Sequence, residues 1–203
     1  MFALVENNQF VKTVSSSKGI ELNGIQYPKT IFTLWTEAER NAIGLYEINV
    51  NSENKKDEAY YINTNITYSF NNGIVTGSYG APTAKPLNNV LFVEGDEIPS
   101  DKAVGDIKQY GLKEQKISVI KQQAAGLLAP TDWHVVKAAE VAAYSVPADI
   151  SIYRAAVRTA SNDMEAKINA AADVDALKAL YEYTEQEDGT LTRPLGEFPE
   201  EIE

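Results

Sequence analysis

Residues 127–133 read LLAPTDW, and residues 153–158 read YRAAVR. Before the first of these stretches, apolar residues recur at spacings of three and four, which predicts a helix from about Leu112 to Leu128. Its apolar face comprises Ile117, Ile120, Ala124, Leu127 and Leu128. Pro130 ends such a helix because it lacks an amide hydrogen, and the Thr-Asp pair that follows can cap the next one. Residues 127–133 are therefore predicted to join two helices.

Three further helices are predicted after this junction, because apolar residues continue to recur at helical spacing. Pro147, whose fixed φ suits a first helical turn, begins the third helix, and Asp173 caps the fourth. The inward positions are Trp133, Val136 and Ala139 in the second helix, Ile152, Ala156, Met164 and Ile168 in the third, and Val174, Leu177, Leu180 and Tyr181 in the fourth. Together the helices are expected to form a bundle.

The first half of the chain alternates apolar and polar residues between Asn and Gly turns, which is typical of short strands joined by tight turns. The predicted strand pairs are 2–5 with 10–14, 20–22 with 25–27, and 66–70 with 74–79. Thr36 and Glu39 form a capping-box pattern that begins one short helix, and Gly44 ends it before a strand over 45–50. The expected fold class is α+β, with a small antiparallel β module followed by a helical bundle.

Composition divides the chain into four segments. They are a β-rich module over residues 1–80, a proline-containing linker over 81–108, a helical module over 109–183 and an acidic tail over 184–203. From residue 182 to the last residue there are eight acids and one arginine, which is −7 of the total net charge of −11. A block of like charge is expected to be a solvated tail, and the alternative is a contact with a basic partner surface.

Charge and residue usage also narrow the classes of function. A net charge of −11 disfavours nucleic acid as a partner, and no stretch resembles a membrane span or a secretory leader. The chain has no cysteine, a single histidine, His134, and neither glycine-rich phosphate-binding motif. Acid pairs such as Asp163 with Glu165 are expected to be ordinary surface carboxylates rather than a glycosidase couple. We therefore expect no catalytic residue, no cofactor and no metal site.

Arg154 and Arg158 lie four residues apart, so that they share one face of the predicted third helix and repel each other. An acid should compensate them. Asp132 or Glu140 is the candidate, through a charge-assisted bond that ties the second helix to the third. The alternative is that both arginines are exposed and solvated.

Tyrosines in the first half allow a different function. Tyr60, Tyr61, Tyr68 and Tyr79, with Lys55 and Lys56 nearby, could form a stacking platform for sugars or single-stranded nucleic acid. The ordinary alternative is that tyrosine suits a half-buried strand surface.

The two stretches LLAPTDW and YRAAVR resemble the Leu-Leu-x-x-Thr/Ser-Asp-Trp and Tyr-Arg-x-x-Leu-Arg signatures of tail-associated proteins of tailed bacteriophages. That group includes tail-fibre assembly proteins and tail assembly chaperones. The resemblance spans about 32 residues in its signatures, in the same order along the chain. The residues that carry the motif, and that the resemblance assigns to structure or interaction, are Leu127, Leu128, Thr131, Asp132, Trp133, Tyr153, Arg154 and Arg158.

The resemblance implies a non-enzymatic structural or interaction protein of a phage tail, baseplate or fibre, made in the host cytoplasm and located in the virion. Its partners would be other tail proteins, and it would form a homo-oligomer, ring or trimer there. A transient chaperone of tail or tail-fibre assembly is the close alternative, and a carbohydrate-binding accessory protein is a third.

Overall fold

A computed structural model describes residues 1–202 of the chain. The chain splits into two compact units, Met1–Thr83 and Ala84–Glu203. Strands dominate the first unit and helices the second, which confirms the predicted α+β class. Most of the segment predicted to be a linker, residues 81–108, belongs to the second unit and carries strands of its own. Within residues 1–202, no helix is both long and apolar enough to span a bilayer.

The first unit is built on a five-stranded sheet. Its elements are β1 (Phe2–Glu6), β2 (Gln9–Val14), β3 (Ile20–Leu22), β4 (Ile25–Tyr27), α1 (Ile31–Leu34), α2 (Glu37–Ala42), β5 (Leu45–Asn51), β6 (Tyr61–Ile62), β7 (Thr67–Asn71) and β8 (Ile74–Ser78), followed at the boundary by β9 (Thr83–Ala84). The sheet has the order β2-β1-β5-β8-β7, while β3 and β4 pair as a separate hairpin. Two helices occupy the region where the sequence predicted one.

One pairing in this sheet differs from the expected antiparallel module, because β5 and β8 run parallel, with Ile48 opposite Val75. The other pairs, β1 with β2, β1 with β5, and β7 with β8, are antiparallel. A parallel pair needs a long crossover connection, and more than twenty residues separate β5 from β8. The sheet is therefore mixed.

Three predicted hairpin turns are confirmed, and each relies on positive φ at its two central residues. Asn7 and Asn8 have φ of 51° and 60°, Asn23 precedes Gly24 at 52° and 79°, and Asn72 precedes Gly73 at 50° and 80°. Asparagine and glycine tolerate this conformation, which matches the twist of the strands that they join. The turns thereby set the register of the hairpins.

The predicted capping box of α2 is also confirmed. The amide of Glu39 donates to the Thr36 hydroxyl at 3.3 Å, and the amide of Thr36 donates to the Glu39 carboxylate at 2.7 Å. The Thr36 amide, together with the Thr36 hydroxyl, which donates to the same carboxylate oxygen at 2.8 Å, lowers the pKa of Glu39 below its ordinary value. Gly44 then takes φ of 81°, and a Cβ there would lie 2.7 Å from the carbonyl oxygen of Val5. Only glycine fits between α2 and the sheet at this point.

Alternate residues along β1 serve two hydrophobic clusters in the first unit. One contains Phe2, Leu4, Val14, Leu22, Ile31, Phe32 and Leu45, and the other contains Ala3, Val5, Ile48 and Val75. Phe10 on β2 stacks on Tyr68 of β7 with ring centroids 4.7 Å apart, so aromatic contact links the two outer strands of the sheet.

The second unit contains a short strand pair, four α-helices and a terminal hairpin. Its elements are β10 (Val90–Leu91), β11 (Ile107–Gln109), α3 (Leu112–Leu128), a 3₁₀ turn (Ala129–Thr131), α4 (Asp132–Glu140), α5 (Ala148–Ala170), α6 (Val174–Ala179), β12 (Thr184–Glu185) and β13 (Leu191–Thr192). The bounds of α3 are those predicted. Pro147 lies just before α5, and the amide of Ala176 donates to Asp173 at 2.7 Å, which confirms the cap of α6.

Helices α3 and α5 pack on each other and supply most of the core of this unit. The buried face of α3 contains Leu112, Ile117, Ile120 and Ala124, and that of α5 contains Tyr153, Val157, Met164 and Ile168. Met164 and Ile168 are inward as predicted, whereas Ile152 is 70% exposed and Ala156 is also exposed. The prediction for the start of α5 was wrong because the buried stripe runs through Tyr153 and Val157, one position further along.

The prediction for the second helix was wrong in a more consequential way. Trp133, Val136 and Ala139 were expected to point inward, yet the first two are 53% and 54% exposed and Ala139 is exposed as well. All nine residues of α4 are at least partly exposed. The indole is therefore at the surface, and the helical unit is organised around the contact between α3 and α5 instead.

The acidic C-terminal segment was predicted to be solvated, but part of it is packed. Leu195 is fully buried, and Lys167 of α5 donates to the carbonyl oxygens of Pro194 at 2.8 Å and Leu195 at 3.1 Å. Phe198 packs against the cluster that contains Ala124. A few apolar residues within a mainly acidic stretch are enough to hold it on the helices.

Candidate functional site: the junction of α3 and α4

The junction begins where α3 ends at Leu128 and Pro130 prevents its continuation. One 3₁₀ turn follows, and the Thr131 hydroxyl donates back to the carbonyl oxygen of Leu128 at 2.8 Å. The sequence predicted that Thr131 or Asp132 would cap α4. In the structure, Thr131 bonds to the preceding helix and the Asp132 carboxylate accepts from an arginine of α5.

Arg154 of α5 is the centre of the junction. Its Nη1 donates to the carbonyl oxygen of Leu128 at 2.9 Å and to the Thr131 hydroxyl at 2.6 Å, and its Nη2 donates to Asp132 Oδ1 at 2.8 Å. The residue is only 7% exposed. The predicted bond between an arginine of the third helix and an acid of the second is thus present as Arg154–Asp132, and Glu140 is not the acid that makes it.

This arrangement suits a guanidinium group, whose planar fork can serve several acceptors at once. The Asp132 side chain is 60% exposed, so water screens its charge and the ion pair itself contributes modestly. The bonds to Leu128 and Thr131 lie in the buried part of the junction, where an unpaired donor or acceptor would be costly. Arg154 therefore fixes the point at which α4 leaves α3.

Tyr153 and the two leucines pack beneath this bond network. Tyr153 belongs to a cluster with Ala124 and Val157, against which Leu127 and Leu128 pack, and its hydroxyl points to the carbonyl oxygen of Leu127 at 3.4 Å. Burial raises the pKa of the Tyr153 phenol, and the charge of Glu201 raises it further. These side chains give the junction a hydrophobic base.

Arg158, the other arginine of the motif, is exposed, and among residues 1–202 its one hydrogen bond is a long one, 3.4 Å, to the carbonyl oxygen of Arg154 one turn earlier. Of the two arginines that share a helix face, one is buried and compensated and the other is solvated. The predicted bond to an acid of the second helix is therefore present at Arg154, and the alternative, an exposed and solvated side chain, applies to Arg158.

Helix α4 extends from this anchor with a cluster of aromatic rings near its start. The rings of Trp133 and His134 lie 3.7 Å apart by centroid, and His134 Nδ1 shares a hydrogen bond with the Tyr144 hydroxyl. The Lys137 ammonium lies 4.4 Å from the Tyr144 ring and 5.6 Å from the Trp133 ring. His134 is half-buried, and its contacts are with the neighbouring rings.

Lys137 and Tyr144 were missed by sequence reasoning. Lys137 follows Trp133 by four residues, a spacing that brings a cation over an aromatic ring on a helix, so a local signal existed. Tyr144 lies beyond the end of α4, and its return to His134 depends on the path of the loop.

The tyrosines proposed as a stacking platform are placed differently. Tyr60 and Tyr61 are buried, and one face of Tyr68 is covered by Phe10. The first two are core residues and cannot stack with a ligand. The part of the chain that the structure describes brings together no cluster of three or more His, Asp or Glu side chains that could hold a metal ion.

The chain matches no protein-family model, no curated protein and no solved structure. The roles of the motif residues therefore follow from the geometry. Six of them build the junction, namely Leu127, Leu128, Thr131, Asp132, Tyr153 and Arg154. The other two, Trp133 and Arg158, are left at the surface.

Proposed function

We propose that the chain is a non-enzymatic structural or interaction protein of a bacteriophage tail, located in the tail, baseplate or fibre of the virion. One observation carries the interaction role: a buried arginine anchors the start of a helix whose nine residues are all at least partly exposed. The phage assignment rests on the resemblance of the two motifs, because these same motifs supply the anchor and the exposed tryptophan.

A nine-residue helix is too short to be stable by itself in water, and most helices of this length depend on a covered apolar face. In α4, the apolar residues Trp133, Val135 and Val136 are exposed. Contiguous apolar surface of this kind marks contact sites on proteins. Because Arg154 fixes the helix in place, less conformational entropy is lost when a partner binds it.

The partners in this proposal are other tail proteins, and the chain forms a ring, trimer or other homo-oligomer within the virion. It is made in the host cytoplasm and then incorporated. A transient chaperone of tail or tail-fibre assembly is the alternative, since an exposed anchored helix would serve temporary contact equally well.

The test is quantitative mass spectrometry of purified phage particles and of infected-cell extracts. We expect the chain in the particles, at a fixed ratio to the major tail proteins. Enrichment in extracts with loss from particles would favour the chaperone. Failure to find the chain with tail proteins in either sample would contradict both forms of the proposal.

A further inference from the structure

The exposed surface of α4 has a defined face. Trp133, Val136 and Glu140 lie three and four residues apart, so their side chains follow one another along one side of the helix. Ala139 adjoins this stripe beside Val136, and Lys137 adjoins it beside Trp133; all five residues are exposed. The face carries Trp133, Val136 and Ala139 as its apolar residues, with the Lys137 ammonium held over the Trp133 ring at one margin and one carboxylate at the C-terminal end.

We propose that this face of α4 docks into an apolar groove of a different polypeptide, one that carries lysine or arginine at the rim beside Glu140. The inference rests on the proposed function and names the chemistry of the partner. It is a helix-in-groove contact, in which anchors at successive turns enter pockets of the partner.

Charge argues for a basic rim. Of the other charged groups in α4, Asp132 is bonded to Arg154, and the Lys137 ammonium lies over the rings of Trp133 and Tyr144. Glu140 makes no ion pair with any residue in the described range 1–202. A cation on the partner would meet this carboxylate, and the net charge of −11 would attract such a partner over longer distances.

Size and charge argue against a second copy of the chain as the occupant. Nine residues of helix span about 13 Å. Two such faces pressed together would bury on the order of 500 Å², whereas a stable interface needs roughly 1,200 Å² or more. Two chains of net charge −11 would also repel each other, which a contact this small does not offset, so a homo-oligomer would form through a larger surface elsewhere on the chain. A groove would contact more of the helix surface than a second helix does, so it would bury a larger interface area.

The experiment places a photo-cross-linking residue, p-benzoylphenylalanine, at position 136 of the full chain, expressed during phage infection. The control is the same residue at position 119, where Val119 is an exposed valine of α3. Adducts are then identified in infected cells and in purified particles. We expect an adduct from position 136 with one other phage polypeptide, through a peptide that contains apolar and basic residues, and none from position 119.

Other outcomes are distinguishable. An adduct with a second copy of the chain, or equal yields from the two positions, overturns the docking proposal. The absence of any adduct from position 136 in both samples also overturns it, whether or not the chain is present in particles. An adduct with a phage polypeptide in infected cells, without the chain in particles, supports the docking site and contradicts only the virion form of the proposed function.

A second set of variants tests the chemistry of the groove. Glu140→Lys should lower the yield from position 136 by about tenfold, because it opposes the basic rim. Glu187→Lys, which makes the same charge change in the exposed terminal hairpin, should leave the yield unchanged. Trp133→Ser should lower the yield as well. An unchanged yield in Glu140→Lys would overturn the basic rim, and an unchanged yield in Trp133→Ser would overturn the indole as an anchor.

Discussion

Helices α4 and α5 are neighbours along the chain and both contain regularly spaced apolar residues, yet they are stabilised in different ways. In α5, Tyr153, Val157, Met164 and Ile168 form a buried stripe against the rest of the second unit. In α4, every residue is at least partly exposed, and the helix is held at its start by Arg154. Apolar content alone therefore does not place a helix in the core, since burial also requires another element of the fold that packs on its apolar face.

The largest expected effect comes from deleting side-chain volume in the two helices. Ile168→Ala should destabilise the protein by about 3 kcal/mol, because it removes a fully buried side chain and leaves a cavity. Val136→Ala should change the free energy of unfolding by less than about 0.5 kcal/mol, because that side chain is exposed. Urea denaturation followed by circular dichroism measures both. Similar losses from the two variants would remove the contrast between the helices.

A smaller loss of stability is expected from removing the hydrogen bonds of Arg154, which join α5 to the start of α4. Arg154→Gln should destabilise the helical unit by about 2 kcal/mol, because it leaves the Leu128 carbonyl and the Thr131 hydroxyl without their donor. Arg158→Gln is the matched control and should change stability by less than about 0.5 kcal/mol, since Arg158 is exposed. Thermal unfolding of the two variants compares them directly. Equal midpoints would mean that Arg154 does not hold the junction.

The hydrophobic base of the junction should respond to alkaline pH. Because burial raises the pKa of Tyr153, the folded protein holds this proton more tightly than the unfolded chain does. The stabilising contribution is complete below the pKa of an unfolded tyrosine, about 10, and is lost as pH rises through the raised value. Tyr153→Phe should flatten the fall in melting temperature above pH 10. If both proteins lose stability in parallel there, another group is responsible.

The smallest effect is expected at the exposed indole of Trp133. Trp133→Ser should leave the free energy of unfolding within about 0.5 kcal/mol of the parent, because the half-exposed indole lies against the His134 and Tyr144 rings and the Lys137 ammonium rather than in the core. Chemical denaturation followed by circular dichroism checks this. A loss of 2 kcal/mol or more would show that the indole supports the core after all.

Local signals in the sequence were sufficient for the turns and for several helix ends. Asn23-Gly24 and Asn72-Gly73 readily adopt the positive φ that a tight turn requires, and the bonds between Thr36 and Glu39 span only three residues. The repulsion between two arginines on one helix face led to the prediction that Asp132 or Glu140 pairs with one of them, but it left open which residues form the pair, which the structure shows to be Arg154 and Asp132. Such features depend on the chain nearby, so composition and spacing predict them.

Features that depend on distant residues were not predicted. The apolar spacing of α4 predicts a helix, but it does not show whether the apolar face is buried. The core of this unit is formed by α3 packed on α5, and Trp133 remains outside it. Leu195 lies in an acidic stretch, and its burial results from contact with helices that precede it by many residues. The parallel pairing of β5 with β8 depends on the path of the long connection between them.

The most direct test of the central claim, that α4 is anchored but uncovered, is acrylamide quenching of Trp133 fluorescence in the Trp35→Phe variant. The chain has two tryptophans, so this substitution leaves Trp133 as the single indole fluorophore. We predict a red-shifted emission maximum and efficient quenching in the folded, isolated protein. A blue-shifted emission that resists quenching at low protein concentration would show that the chain covers its own helix, and would contradict the account.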